Sequence, residues 1–491
     1  MSNLKKYSSI LIKGTAAVSL ANASTQIVGL LLLPIFTFYL SPEDYGIFSL
    51  VSLTITVLAL IYNPGMMSAT MRLYHKTDDE DDRKTLIGSA LIFFLLIPFV
   101  PIIFGLLFGP QIFSYIFKDF EFYPYGFLAL ILAFFIQPSR IWSTLMTLKY
   151  KVKKAALHTA ISVTIGMLFS VLFVVVFKMG AMGKVLGMFP AALYLFIISL
   201  KEVREYTLGV WKLESIKKQL IFGYPLIAAL WAYQGLNFIG KYMLESMDSI
   251  ESVGLYSFAV SLASVPMILV LGFKQLWNPI FYENMNLKNY KTISQLITYF
   301  ILVLTLLCIL CILFSKEVIL LVINERYYSI IPIIGFLILG IFFNGLLTIS
   351  NSLLSYDDKF RNVSIIALIA IFLNFTLNVV LIPEYNVLGA SISLAASYFI
   401  FFVIGAINQK KTLKLIQTKG ITLFPILIIF STVIICYFLN QTYEINTFNK
   451  FEFGVKVSLF GIVLLIFFKI NLLRKEDLNL LISLIRQKIK K

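Results

Sequence analysis

Charged residues are scarce in this sequence. Only 13% of its 491 residues are Asp, Glu, Lys or Arg, whereas 59% are hydrophobic. A soluble globular protein carries about 25% charged residues. The chain is also long enough for roughly a dozen or more spans of about 20 apolar residues each. These observations exclude a soluble fold and predict an all-α polytopic membrane protein.

Residues that usually perform catalysis or hold metals are also rare. The chain has two histidines and three cysteines. Cys308 and Cys311 form a CxxC pair without a second pair, so apolar packing is favoured over a metal or redox site. The acidic run 78–82 resembles the DxD clusters of sugar transferases, but it has no surrounding domain, and a solvated loop is favoured. No nucleotide-binding loop occurs, so we expect a non-enzyme without a cofactor.

The apolar runs predict about fourteen transmembrane helices joined by short loops. The predicted spans are 10–38, 44–63, 85–108, 126–147, 156–177, 182–200, 220–244, 253–273, 292–315, 330–353, 362–382, 387–407, 421–439 and 454–471. The last residues, 472–491, combine a leucine and isoleucine face with basic residues. They predict an amphipathic helix on an anionic membrane surface or, alternatively, a solvated tail helix.

Lysine and arginine predict the orientation, because they concentrate in loops on the cytoplasmic side. With the N-terminus inside, 32 of the 41 cationic residues fall in segments on that side and 7 in segments outside. An even number of spans then places both termini in the cytoplasm. Topology and contact with anionic lipid explain the net charge of +16, so no nucleic-acid partner is expected.

Two short motifs indicate a duplication. EDYGIFSL at 43–50 matches ESVGLYSF at 251–258, an offset of 208 residues, and VLG at 185–187 recurs at 387–389, an offset of 202. Spans 1–6 and 7–12 are therefore interpreted as two six-helix lobes related by a pseudo-two-fold axis along the membrane normal. The predicted division is an N-lobe at 1–200, a cytoplasmic linker at 201–219, a C-lobe at 220–407, two extra C-terminal spans within 408–471, and the tail 472–491.

Polar residues follow one face of several predicted spans at spacings of three and four. The candidates for ligand contact are Asn22 and Gln26 in span 1, Gln137 in span 4, Gln234 and Asn237 in span 7, Asn344 in span 10, and Asn374 and Asn378 in span 11. A polar face is costly in lipid, so these faces should meet protein or water. They either hydrogen-bond helices together or line a cavity.

Two cations lie within predicted spans, Arg140 in span 4 and Lys241 in span 7. An ionisable residue at such a depth indicates a functional site, although Lys241 is near enough to the outer end of its span to reach water. No Asp or Glu lies deep in a predicted span. This charge pattern favours an anionic ligand, such as pyrophosphate, over a cationic drug. Coupling to a proton or sodium gradient stays open.

The segments Gly29–Leu50 and Ser252–Glu283 resemble the Wzx-type polysaccharide flippases of the multidrug/oligosaccharidyl-lipid/polysaccharide exporter superfamily. Their sequences are GLLLLPIFTFYLSPEDYGIFSL and SVGLYSFAVSLASVPMILVLGFKQLWNPIFYE. The resemblance implies alternating-access transport of undecaprenyl-pyrophosphate-linked oligosaccharide from the inner to the outer leaflet of the bacterial cytoplasmic membrane. The product would be O-antigen, capsule or exopolysaccharide, made with a separate polymerase and chain-length regulator.

Within that function, the resemblance implies that Arg140 and Lys241 hold the pyrophosphate or acidic sugars, while the amide and hydroxyl faces meet sugar hydroxyls. One position departs from the family, whose members often carry an Asp-Arg pair where this chain has Leu236-Asn237. The alternatives are a lipid II flippase, a drug/cation antiporter of the same superfamily and, more remotely, a membrane polysaccharide polymerase. The lack of an embedded carboxylate counts against the antiporter, and the short outside loops count against the polymerase.

Overall fold

A computed structural model describes residues 28–207, 209–224, 227–356, 360–409, 423–442, 444 and 447–469, which are almost entirely helical. The helices are α1 Val28–Tyr39, α2 Pro42–Ile61, α3 Met66–Lys76, α4 Glu80–Leu96, α5 Phe99–Ile116, α6 Phe127–Leu148, α7 Val152–Val171, α8 Gly180–Leu186, α9 Met188–Thr207, α10 Leu213–Gly223, α11 Ile227–Met247, α12 Ile250–Ala263, α13 Val265–Asn286, α14 Tyr290–Val322, α15 Ile331–Tyr356, α16 Phe360–Asn408, α17 Leu423–Thr442 and α18 Lys450–Lys469. Short π-helical segments precede α6 and follow α7, and a 3₁₀ segment precedes α15.

The membrane character of the fold is clear from helix length and composition. Within the described ranges, nine helices are long and apolar enough to cross a membrane, or ten if the bent pair α12 and α13 is one span. That pair bends by 56° around Ser264, just before Pro266. The predicted all-α multi-pass membrane fold is confirmed. The number of fourteen spans stays a prediction, partly because most of predicted span 1 lies outside the described residues.

Helix α16 contains both predicted spans 11 and 12. Its 49 residues would extend about 73 Å if straight, far more than the roughly 30 Å hydrocarbon core. The helix breaks at Asn386, where φ is 46°. A Cβ on Gly389 would lie 2.3 Å from the carbonyl oxygen of Leu381, although eight residues of straight helix separate two positions by about 12 Å. The chain therefore bends sharply here.

Helices α2 and α12 begin in the same manner. Ser41 caps α2 by accepting a hydrogen bond from the Asp44 amide, and the Asp44 side chain accepts from the Ser41 amide in return. Ser249 caps α12 by accepting from the Ser252 amide. Each cap satisfies a backbone donor that the first helical turn leaves unpaired. Ser41 and Ser249 are 208 residues apart, so both caps follow the offset of the sequence motif.

Loops predicted to lie on the outer side of the membrane meet at one end of the molecule. The Lys118 amine donates to the carbonyl of Asp248 at 2.9 Å, and the Tyr327 hydroxyl donates to the carbonyl of Leu40 at 3.1 Å. Segments following α1, α5, α11 and α14 are thereby gathered together. We call this end the loop end. Its position outside the cell stays a prediction, as do the cytoplasmic termini.

The two weak sequence motifs lie at or within helices. Asp79, in the acidic run, caps α4 by accepting from the amides of Asp81 and Asp82, and a hydrogen bond from Lys84 lowers the pKa of the exposed Asp81. No cluster of three or more His, Cys, Asp or Glu in the described part of the chain is placed to hold a metal. The free cysteines of the CxxC pair lie on α14. The predicted tail helix at 472–491 lies outside the described residues.

Candidate functional site

Helices α2 and α12 cross at very short range near the loop end. A Cβ on Gly46 would lie 2.0 Å from the carbonyl oxygen of Ile250, and one on Gly254 would lie 1.8 Å from the carbonyl oxygen of Pro42. Gly46 and Gly254 are 208 residues apart, and so are Pro42 and Ile250. Only glycine lets backbones approach this closely. The crossing is thus symmetric under the sequence offset.

Hydroxyl groups complete this crossing. The Oγ atoms of Ser49 and Ser257, another pair at the 208-residue offset, lie 2.6 Å apart and are buried. Tyr45 of α2 packs edge-on against Phe258 of α12, and its hydroxyl lies 3.3 Å from the Ser261 Oγ. The two predicted lobes therefore contact one another through α2 and α12 at the loop end.

Lys241 lies beside this crossing. Its Nζ donates to the Ser49 Oγ at 3.0 Å, so the lysine extends the Ser49–Ser257 pair into a chain of three polar groups. The side chain also lines a cavity of about 170 Å³ together with Ser52 and Tyr256. The amine is thus directed between α2 and α12 and not away from the molecule. This geometry supports the cavity interpretation of Lys241 over the alternative that it reaches water at the span end.

Arg140 and Gln137 share one face of α6. Gln137 is buried; its side-chain nitrogen donates to the Ala133 carbonyl at 3.3 Å, while its Oε1 has no hydrogen-bond partner among the described residues. The buried Nε of Arg140 likewise has no partner there. Unpaired buried polar atoms are uncommon and need an explanation, such as a ligand. Arg140 lines neither the Lys241 cavity nor the larger cavity described below.

Asn344 lines a polar cavity of about 140 Å³ between α13 and α15. Lys274, Asn278 and Thr348 contribute to the same wall, and the Ser352 hydroxyl donates to the Asn278 side-chain oxygen at 2.8 Å. The stripe predicted on span 10 is therefore at a cavity. The neighbouring Lys274 lies on α13, whereas the predicted span boundaries place it in a loop.

The remaining candidates are distributed differently. Asn374 and Asn378 are buried, and the Asn378 side-chain nitrogen donates to the Asn374 oxygen at 3.0 Å, while the Asn378 Oδ1 has no hydrogen-bond partner among the described residues. Gln234 is half-buried on α11. The side chain of Asn237, and both Asn22 and Gln26, lie outside what the structure describes.

Lys184 is a cavity residue that sequence reasoning missed. It is 6% exposed and lies on α8 against a cavity of about 660 Å³. It stands at the start of predicted span 6, so the distribution of lysine and arginine groups it with the seven cations outside. In the sequence, the only indication of a buried cavity residue here is a single lysine between two apolar runs.

A buried ionic cluster was missed as well. Lys316 and Glu317 of α14 pair with Glu452 and Lys456 of α18. The three contacts, Lys316–Glu452, Lys456–Glu317 and Lys456–Glu452, are each 2.7 Å, and all four side chains are less than 10% exposed. We call these four residues the ionic quartet. The i, i+4 spacing of Glu452 and Lys456 is visible in the sequence. The sequence does not show that α14 is the helix with which they pair.

A protein-family model described as "Polysaccharide biosynthesis protein" matches residues 11–285, more than half of the chain. The chain belongs to this family. The matched part of this polysaccharide biosynthesis protein includes the α2–α12 crossing, Arg140, Lys184 and Lys241. The ionic quartet lies beyond it.

Other comparisons describe the fold. A lipid II flippase MurJ structure in an inward closed conformation has a TM-score of 0.72 and 17% identity, covering 92% of this chain and 98% of that one. MATE-family multidrug resistance transporters of the MOP superfamily give 0.63 at 15% identity for an inward-facing structure and 0.57 at 14% identity for an outward-facing one. They cover 82% and 83% of this chain, respectively, and 96% of each transporter. These likenesses show a shared fold.

One relative comes from Methanocaldococcus jannaschii, an uncharacterized membrane protein. It is 25% identical over 213 residues, which is 42% of this chain and 39% of the relative. The match thus spans about two fifths of that relative's length.

Proposed function

We propose that this family member is a flippase that moves undecaprenyl-pyrophosphate-linked oligosaccharide repeat units from the inner to the outer leaflet by alternating access. The observation that carries the proposal is the symmetric α2–α12 crossing at the loop end, with Lys241 and its cavity beside it. Membership of the polysaccharide biosynthesis family supports the oligosaccharide part of the substrate.

The contacts at the crossing are suited to repeated opening. They are close glycine–backbone contacts, the Tyr45–Phe258 ring contact and neutral hydroxyl pairs, and each hydroxyl hydrogen bond is worth only about 0.5–1.5 kcal/mol net. Separating α2 from α12 therefore breaks no ion pair there among the described residues. Lobes joined in this way can part at the loop end while they close at the other end, which is the motion that alternating access requires.

The cations supply recognition of the diphosphate. Lys241 is a compact point charge whose amine contacts one neutral hydroxyl, Ser49, so an anion can add to its remaining donors. Arg140 offers a planar group suited to two parallel hydrogen bonds with phosphate oxygens. Arg140 lies on α6 and does not line the cavity that Lys241 of α11 lines. We therefore infer that the two cations engage the diphosphate at different stages.

Transport of lipid II is a second candidate. It is favoured by the TM-score of 0.72 over 92% of this chain with the MurJ structure. Both substrates would be lipid diphosphates and would use the same cations. They differ in the sugars attached.

Purified protein in vesicles distinguishes these candidates. We expect a fluorescent undecaprenyl-pyrophosphate oligosaccharide to become accessible to a membrane-impermeant quencher on the opposite leaflet, with lipid II moving more slowly. Protein-free vesicles are the control. Faster movement of lipid II would favour the second candidate, and movement of neither lipid would contradict both.

Replacing Arg140 by alanine should reduce transport at least tenfold, because a charged hydrogen bond to the diphosphate is worth about 1.5–3 kcal/mol. Arg140→Lys should retain part of the activity, since the charge remains. Surface polymer and membrane protein level are measured together, with the exposed Lys153→Ala as control. Unchanged polymer in Arg140→Ala would remove Arg140 from the mechanism.

Reversing the charge of Lys241 should cost more than removing it. In Lys241→Glu a carboxylate would repel the diphosphate, whereas Lys241→Met would only lose an attraction. The initial rate of lipid movement in vesicles measures the difference. Equal, small effects of both substitutions would indicate that Lys241 has no role in anion binding.

A further inference from the structure

Lys184 is a buried cation with unusual neighbours. Its Nζ lies 4.7 Å from the ring centre of Phe36, 3.8 Å from that of Tyr45 and 4.2 Å from that of Phe48. Among the residues that the structure describes, no carboxylate forms an ion pair with this amine. The nearby Asp44 is engaged elsewhere, with the Ala181 amide on one oxygen and Ser41 on the other.

Aromatic faces compensate only part of the cost of burying an ammonium group. A cation–π contact is worth about 0.5–2 kcal/mol, and an uncompensated buried charge costs more than that. The remaining cost is lowered if an anion shares the site. Lys184 lines the cavity of about 660 Å³, so an anion in this cavity can reach its amine.

The rest of the cavity wall is mostly apolar. Leu33 of α1, Met167 of α7 and Leu195 of α9 line it. Three hydroxyl groups on the wall donate to backbone carbonyls: Ser162 to Ala191 at 2.9 Å, Ser261 to Ser257 at 2.9 Å and Ser264 to Ser261 at 2.6 Å. The volume lies within the roughly 300–1,000 Å³ typical of small-molecule sites. A fitting ligand therefore has one anionic end and an apolar body.

We propose that this cavity binds the phosphate end of an isoprenoid lipid, with its first isoprene units against the apolar wall and its phosphate on Lys184. This rests on the proposed function, which supplies the isoprenoid. It adds a site that is separate from Arg140 and Lys241. A phosphatidate, which carries its phosphate on diacylglycerol, shares the chemistry of a phosphate beside apolar chains, and the experiment below separates the two.

The site is connected to the α2–α12 crossing through Tyr45. The ring of Tyr45 contacts the Lys184 amine, while its hydroxyl lies against Ser261 on the other helix. A phosphate that draws the Lys184 ammonium group away from the Tyr45 ring changes the surroundings of Tyr45. Occupation of the cavity is therefore coupled to the contact that joins α2 and α12.

Binding to the full-length purified protein tests the site. The probes are farnesyl diphosphate, farnesol, inorganic pyrophosphate and dioctanoyl phosphatidate, and calorimetry measures Kd. We expect Lys184→Met to weaken farnesyl diphosphate about 10- to 100-fold while leaving farnesol unchanged. Lys184→Arg should stay within a few-fold of the wild type. The matched control, Lys178→Met, removes an exposed lysine from the preceding loop and should bind normally.

A second variant keeps the test decisive if Lys184→Met does not fold. Ala191→Leu narrows the cavity and should weaken farnesyl diphosphate without affecting pyrophosphate. Equal Kd values for wild type and Lys184→Met overturn the site, as does tighter binding of phosphatidate than of farnesyl diphosphate. If oligosaccharide movement is normal but the Kd of farnesyl diphosphate is the same in wild type and Lys184→Met, the result rejects this site and leaves the proposed function standing. If Lys184→Met weakens farnesyl diphosphate but the wild type moves no oligosaccharide lipid, the result rejects the proposed function and leaves this site standing.

Discussion

A disulfide between cysteines at positions 49 and 257 is expected to stop transport until a reductant is added. The two serine Oγ atoms are 2.6 Å apart, close to the sulfur–sulfur bond length of about 2.05 Å, so Ser49→Cys and Ser257→Cys together should oxidise readily. The bond would hold α2 against α12 and keep the loop end closed. Lipid movement in vesicles should fall to the protein-free level and recover with reductant.

The controls for this prediction are simple. The three native cysteines are replaced by alanine first, and each single cysteine variant is measured under the same oxidising conditions. Single variants should move lipid at near the wild-type rate. Full transport by the oxidised double variant, with the disulfide verified by mass spectrometry, would show that α2 and α12 do not separate during the cycle.

Loss of one member of the ionic quartet should strongly destabilise the protein. Lys456→Met leaves Glu317 buried without its partner, and breaking a buried pair in this manner costs about 3–5 kcal/mol. Removing Glu317 as well, in Glu317→Gln with Lys456→Met, restores neutrality and retains the Lys316–Glu452 pair. The double variant should therefore melt at a higher temperature than the single one.

Thermal unfolding in detergent and protein level in membranes measure this difference. Lys450→Met, on the same helix but not in the quartet, is the control. If the single and double variants lose the same stability, then the charges are not coupled, and the quartet would contribute little beyond packing.

The repeated sequence motifs contain the residues of the α2–α12 crossing, but they do not show that these residues contact one another. The repeated octapeptides contain both glycines and both serines that meet there, and identical residues at a fixed offset were visible in the letters alone. Their contact was not predictable, because a repeat shows equivalence and not which surfaces touch. Lys241 is a candidate from the sequence alone, but its hydrogen bond to Ser49 spans 192 positions in the chain and is not visible there.

The buried cations show where local patterns stop being informative. Lys184 and Lys316 lie at the ends of predicted spans, and hydropathy predicts position along a span but not burial against neighbouring helices. Lys316 meets Glu452 across 136 residues. Asn374 and Asn378 illustrate the opposite case, because a spacing of four indicates one face and also allows one amide to donate to the other within the same helix.

The α2–α12 crossing has a consequence for the origin of the chain. Pro42 meets Gly254 while Ile250 meets Gly46, so each helix presents both sides of the same contact. A contact of this kind is isologous, as in a homodimer with two-fold symmetry. One copy of the repeat therefore carries a complete self-complementary surface. Two identical half-length chains inserted in parallel could have associated through it before a gene fusion joined them.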